Sequence, residues 1–134
     1  MIVLDAAAAS DFLLPRQPQR DWVERIILAS EETLHAPHLI DLEVANAVRR
    51  LVARREISER RGRIALGNLR ALAVVRYPHG QLLERIWQLR KTVTVYDAAY
   101  VALAEALDAP LITTDQALAR ASGHRARILA YSPD

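Results

Sequence analysis

Short apolar runs recur along this chain, and the stretches between them have helical spacing. That alternation limits the fold more than any other feature. Ile2-Val3-Leu4 is a buried-strand pattern ending at Asp5. Thr33 to Ala36 is a second run, closed by Pro37, and Val74-Val75 is a weak third before Tyr77-Pro78. Leu111-Ile112-Thr113 follows Pro110, and Arg127 to Ala130 makes the last. Between them, helices are expected over Asp11–Leu14, Asp21–Ala29, from Leu39 through Val52, from Ser58 to Leu72, over Gln81–Leu89, over Tyr96–Leu107 and over Gln116–Arg120. Ser58 and Asp21 have the chemistry of N-caps. Leu42, Val44, Ala47, Val48, Leu51 and Val52 suggest an apolar stripe on the third helix. Strand–helix alternation of this kind gives an α/β domain with a mostly parallel sheet. In such sheets ligands lie outside the carboxyl ends of the strands.

At 134 residues the chain reads as one domain, residues 1–134, with roughly two-thirds of its surface buried on folding. Hydrophobic residues at 51% and charged residues at 25% exclude a disordered chain. With no cysteine, disulfides, thiolate metal sites and thiol nucleophiles are excluded. No apolar run approaches the ~18 residues of a membrane helix, and the N-terminal segment lacks the early basic residues of a signal peptide. A cytoplasmic protein is expected. His35, His38, His79 and His124 lack metal-ligand spacing, and His35 and His38 read as edge or loop residues. Trp22 and Trp87 occupy helical apolar positions and read as core.

Four carboxylates fall where a site at the sheet's carboxyl edge would be built. Asp5 directly follows the first strand, and Asp115 lies two residues past the fourth. Glu43 lies in the first turns of the helix after Pro37, and Asp97 opens the helix of YDAAYVALAEAL. Each taken alone is a good helix-start residue, which caps free N–H groups and opposes the helix dipole. Taken together they would repel strongly, since two unit charges ~4 Å apart cost about 4 kcal/mol at an effective dielectric near 20. A converged set must therefore take up protons or bind a cation. Oxygen ligands suit a hard ion such as Mg²⁺ or Mn²⁺, which makes metal-assisted phosphodiester hydrolysis a coherent chemistry.

The basic residues also cluster. Seventeen of the 18 are arginine, and seven of these fall between Arg49 and Arg63. Arg49, Arg50, Arg54 and Arg55 share a helix with Glu43 and could guide a nucleic-acid backbone toward the acids. A solvated helix face and a grip on an acidic partner segment are the competing readings. A non-catalytic binding module centred on Arg49–Arg63, with the carboxylates serving only as caps, is the alternative from another functional class.

The order and spacing of MIVLDAAA, APHLIDLEVANAVRRL, YDAAYVALAEAL and LITTDQALA resemble the PIN-domain ribonucleases, and among them the VapC-type toxins of VapBC toxin–antitoxin pairs, over essentially the whole chain. The resemblance implies a three-layer α/β/α sandwich around the parallel sheet and an endoribonuclease using Mg²⁺ or Mn²⁺. It matches the family's acids to Asp5, Glu43, Asp97 and Asp115, with Asp5, Asp97 and Asp115 at the metal and Thr113 supporting them. It further implies a VapB-type antitoxin partner, a homodimer, and operator DNA contacted only through the antitoxin. Two positions depart from the pattern. Ala7 stands where many relatives carry Ser or Thr, and Gln116 and Ala117 stand where some add another acid.

Overall fold

The computed structural model describes residues 1–133. Its centre is a five-stranded sheet of β1 (Ile2–Leu4), β2 (Leu34–Pro37), β3 (Val74–Tyr77), β4 (Leu111–Thr113) and β5 (Ile128–Ala130). The strand order is β3-β2-β1-β4-β5, and every neighbouring pair is parallel. β1 and β4 are buried at every position. Both are short runs without polar alternation, as strands covered on both faces must be. The flanking strands β3 and β5 are only half buried.

The helices are α1 (Ala6–Leu13), α2 (Gln19–Ser30), α3 (Leu39–Ala53), α4 (Glu59–Ala71), α5 (Leu83–Gln88), α6 (Val95–Leu107) and α7 (Gln116–Ala119). Helices α1 to α4 pack on one another, with α3 against β2. Helix α6 packs on α5 and on β1, β2 and β4. This is the three-layer α/β/α arrangement. Parallel neighbours need a crossover connection, so the chain returns through helices each time. Each helix that leaves a strand's carboxyl end therefore begins at that same edge of the sheet.

The expected elements are all present, and the boundaries and some side chains differ. Helix α1 begins at Ala6 rather than Asp11, because the alanine run has high helix propensity but no apolar period to reveal it. Asp21 lies within the first turn of α2 and Pro18 holds the N-cap position. Ser58 does cap α4, accepting from the Arg61 N–H at 3.0 Å. Leu42 is 73% exposed. It sits two residues before Val44, about 200° around the helix, so one face cannot hold both. The buried face of α3 is Ile40, Val44, Val48 and Leu51. Trp87 is 63% exposed, with the Arg90 guanidinium 4.3 Å from its ring centroid, while Ile86 and Leu89 fill the core instead. Trp22 packs against the core as expected. His35 is not an edge residue. It is buried on the interior strand β2, between the Thr33 and Tyr77 hydroxyls at 2.7 Å each. His38 is exposed.

Two contacts fix α3, which supplies one wall of the cleft described below. Arg76 on β3 forms a two-pronged pair with Asp41 on α3, with closest approach 2.8 Å. Gly62 lets α4 approach α3 closely, for a Cβ there would stand 2.9 Å from Val48 Cγ1 and 3.0 Å from Val52 Cγ2. Gly67 on the same helix has nothing within 4 Å. Gly62→Val is therefore expected to lower stability by about 2 kcal/mol through overpacking. Gly67→Ala is expected to raise it by up to about 1 kcal/mol through helix propensity. Urea unfolding of the three proteins side by side checks both. An unchanged midpoint for Gly62→Val would show that the two helices have room to spare.

Candidate active site

The strand order reverses direction between β1 and β4. The crevice outside the carboxyl ends of strands at such a point is where open parallel sheets bind ligands. Here β1 and β4 run in register, Leu4 beside Ile112, and the Asp5 N–H donates to the Ile112 carbonyl at 3.2 Å. The next residues on the two strands, Asp5 and Thr113, are thus brought side by side.

Asp5 is 4% exposed. Its Oδ1 accepts the Ala8 N–H of α1 at 2.8 Å, and its Oδ2 accepts the Thr113 hydroxyl. The Thr113 oxygen in turn accepts the Asp115 N–H at 2.9 Å. Asp115 caps α7, accepting from Ala117 N–H at 2.9 Å. One hydroxyl thus ties the carboxylate after β1 to the loop after β4.

Asp97 occupies the first turn of α6. Thr94 is the N-cap, and its Oγ1 accepts the Asp97 N–H at 3.1 Å. One turn along α6, the Tyr100 hydroxyl donates to Glu43 Oε1 at 2.7 Å. The helix that carries Asp97 is thereby tied to Glu43 in the opposite helical layer.

The carboxylates feel one another. Burial pushes Asp5 up from its ordinary 3.8 to about 7, helped by the charges of Asp115 and Asp97 and opposed by its two hydrogen bonds. Burial and the Asp115 charge raise Asp97. Burial and the Asp97 charge raise Glu43, against the Tyr100 hydrogen bond. The Tyr100 phenol is itself driven far up by burial and by Glu43, so it stays a hydrogen-bond donor.

All four expected acids line one cleft of about 520 Å³. Arg50 and Arg54 line it too, but Arg49 and Arg55 do not. Glu43, Ala47, Arg50 and Arg54 follow one another at helical spacings of three and four, and one face carries them all. Arg49 instead bonds Asn46 Oδ1 at 3.1 Å, and Arg55 does not share the helix as expected, because α3 ends at Ala53 with Arg54 as its cap and the backbone turns left-handed at Arg55, φ 59°.

The sequence reading missed Ser10, Asp11, Arg16 and Tyr100, which also line the cleft. Ala7, Ser10, Asp11 and Leu14 would have shown their common face had α1 been recognised from Ala6 onward. Tyr100 gave a signal too, lying three residues after Asp97 on the same helix.

Among the described residues, no three His, Asp or Glu side chains are gathered tightly enough to form a ready-made metal site. The donor set nonetheless fits a hard cation by type and charge. It is all oxygen, partly buried, and mutually repulsive when ionised.

Set beside known proteins, the chain matches the model of the PIN-domain family over residues 2–123, and it belongs to that family. Its likeness within the family is to VapC proteins. It is 49% identical over 115 residues to VapC ribonuclease Mb0985 of Mycobacterium bovis, covering 86% of each chain. It is 48% identical over 122 residues to ribonuclease VapC1 of Mycobacterium tuberculosis, covering 90% of each. The fold also matches the crystal structure of VapBC2 from Rickettsia felis bound to a DNA fragment from its promoter. There the TM-score is 0.68 at 11% identity, over 98% of this chain and 100% of that one.

The raised Asp5 makes a pH prediction. Between its unfolded value near 3.8 and its folded value of about 7, the folded state binds the proton that the unfolded state has lost. Stability from this group is full below about pH 4 and is lost as pH climbs through about 7. Metal-free wild type is expected to lose melting temperature across that window relative to Asp5→Asn. Parallel pH profiles of the two proteins would sink the claim.

Proposed function

We propose that the chain is a divalent-metal-dependent endoribonuclease toxin, silenced by a VapB-type antitoxin. The observation that carries this reading is the single cleft lined by Asp5, Glu43, Asp97 and Asp115 with arginines on the same walls. The similarity to proteins named VapC ribonucleases supports RNA as the substrate.

In the reaction a water oxygen bonds to phosphorus as the bridging ester oxygen leaves. Asp5, Asp97 and Asp115 would hold Mg²⁺ or Mn²⁺, in part through its water. When bound, the ion offsets charge on the phosphodiester and lowers the pKa of water. Thr113 keeps Asp5 oriented through the hydroxyl contact. Glu43, held at Oε1 by Tyr100, accepts the proton of the attacking water. Arg50 and Arg54 hold backbone phosphates on either side of the reacting one, and Arg16 adds a third positive group at the cleft wall. Ala7, also at the cleft, brings no hydroxyl to the metal's surroundings.

The chain acts in the cytoplasm as a homodimer, bound by its antitoxin before release and reaching operator DNA only through that partner. The solved VapBC2 assembly supports an antitoxin of this kind. No helix among the described residues is long and apolar enough to cross a membrane.

Purified chain free of antitoxin is expected to cut a total RNA pool at few sites with Mg²⁺ or Mn²⁺ and not with EDTA. Asp5→Asn and Asp97→Asn should abolish the cuts, and Glu43→Gln should slow them by about 10²–10⁴-fold. Cuts that survive in the aspartate variants would come from a contaminant and would leave the reading without support.

Arg50→Ala and Arg54→Ala should each weaken RNA binding and reduce the slope of log affinity against log salt by about 0.7. Arg55→Ala should change neither. Equal effects from all three would mean that the cleft wall is not the phosphate track.

A further inference from the structure

One carboxylate in the cleft does not belong with the other four. Asp11, on the α1 wall, lines the same cavity, and its side chain is only 16% exposed. Its Oδ2 accepts the Thr114 hydroxyl at 2.7 Å. Its Oδ1 lies 3.9 Å from Arg16 Nε, too far for a hydrogen bond. The charge acting on Asp11 is that of Arg16, whereas the charges acting on Asp5 are those of Asp115 and Asp97 and the charge acting on Asp97 is that of Asp115. Asp11 is therefore a carboxylate held in place by a strand-end hydroxyl, outside the group that would share a cation, with one oxygen still open to a donor.

A nucleic acid lying in this cleft offers two kinds of surface. Phosphate oxygens are repelled by a carboxylate and suit Arg50 and Arg54. What a fixed, open carboxylate oxygen attracts is a hydrogen donor, and on RNA these are the 2′-hydroxyls, common to every nucleotide, and the N–H groups of base edges, which alone differ from base to base. The exocyclic amino groups of cytosine, adenine and guanine stand at those edges. The ring N–H of uracil sits between two carbonyl oxygens, both of which repel a carboxylate. Arg16 beside Asp11 can donate to the acceptor atom that neighbours the amino group.

We propose that Asp11, anchored by Thr114 and flanked by Arg16, is a specificity-determining residue that accepts a hydrogen bond from an amino-bearing base beside the cut and disfavours uracil there. The inference rests on the nuclease reading and deepens it, because it assigns base discrimination to the α1 wall and leaves the chemistry to the acids at the strand ends.

The test is cleavage of an RNA library randomised around the cut, with sites sequenced and each profile normalised to its own total cuts. Wild type, Asp11→Asn and Thr114→Val are compared in Mn²⁺, with thermal unfolding to confirm that each variant is folded. Wild type is expected to deplete uracil about tenfold or more at one fixed position near the cut. Asparagine presents both a donor and an acceptor and can pair with uracil, so Asp11→Asn should erase that depletion. Thr114→Val, which frees the carboxylate to turn, should weaken it. A wild-type profile with no uracil depletion, or one that persists unchanged in folded Asp11→Asn, overturns the inference and leaves the nuclease reading standing. Absence of any metal-dependent cut by wild type overturns both.

Discussion

The pairing of β1 with β4 is the constraint on which the rest of the molecule depends. These two strands lie far apart in sequence, yet their register sets Leu4 beside Ile112 and so brings Asp5 against Thr113. The sheet order reverses at this pair, and helices of both layers start at the edge it opens. If β4 slipped by one residue, its side chains would exchange faces. Thr113 would then turn away from Asp5, and the 113–115 loop would no longer hold Asp115 beside it. Both strands are fully buried and, Thr113 apart, apolar, so such a slip is opposed by the whole core. A tightly specified hydrophobic register thus maintains a polar arrangement that would be unfavourable by itself.

The four acids show why capping and chemistry are not rival explanations here. Asp5 and Asp115 are real N-caps, each bonded to a backbone N–H of the helix it opens. Asp97 lies in a first turn, where the helix dipole favours negative charge. Those bonds fix the carboxylates in place, and the N–H groups offset part of their mutual repulsion. Burial still prevails at Asp5, whose proton affinity ends well above the ordinary range. The local rules of helix starts place the acids at one edge, and the sheet topology makes that edge a cleft.

Much of this was legible in the sequence, and the losses have physical causes. The central strands β1 and β4 could be read because both faces are covered and their residues, Thr113 apart, are apolar. The flanking strand β3, half buried, left only the weak Val74-Val75 signal. Helix α1 was half hidden because alanine favours helix without marking a face. That cost Ser10 and Asp11 as cleft residues. The four carboxylates of the expected site do line one cleft, because their positions follow from strand ends and helix starts. The arginines were harder. Arg49, Arg50, Arg54 and Arg55 are close in sequence, but the helix turn of about 100° per residue sends Arg50 and Arg54 into the cleft and Arg49 away from it, and Arg55 lies past the end of α3 in a left-handed turn. Tyr100, read only as part of an apolar helix, bridges α6 to α3 through its hydroxyl.

The register that joins Asp5 to Thr113 also orders events in time. Asp5 leaves the ribosome 110 residues ahead of Asp115. Until β4 has been made, β1 has a neighbour on one side only, and the first acid has neither its hydroxyl partner nor its companions across the cleft. No piece that stops short of Asp115 holds the assembled set. A cell translating this protein therefore meets the complete cleft only once the chain has been made past Asp115, and a product ended before that point carries the first carboxylate without the site it serves.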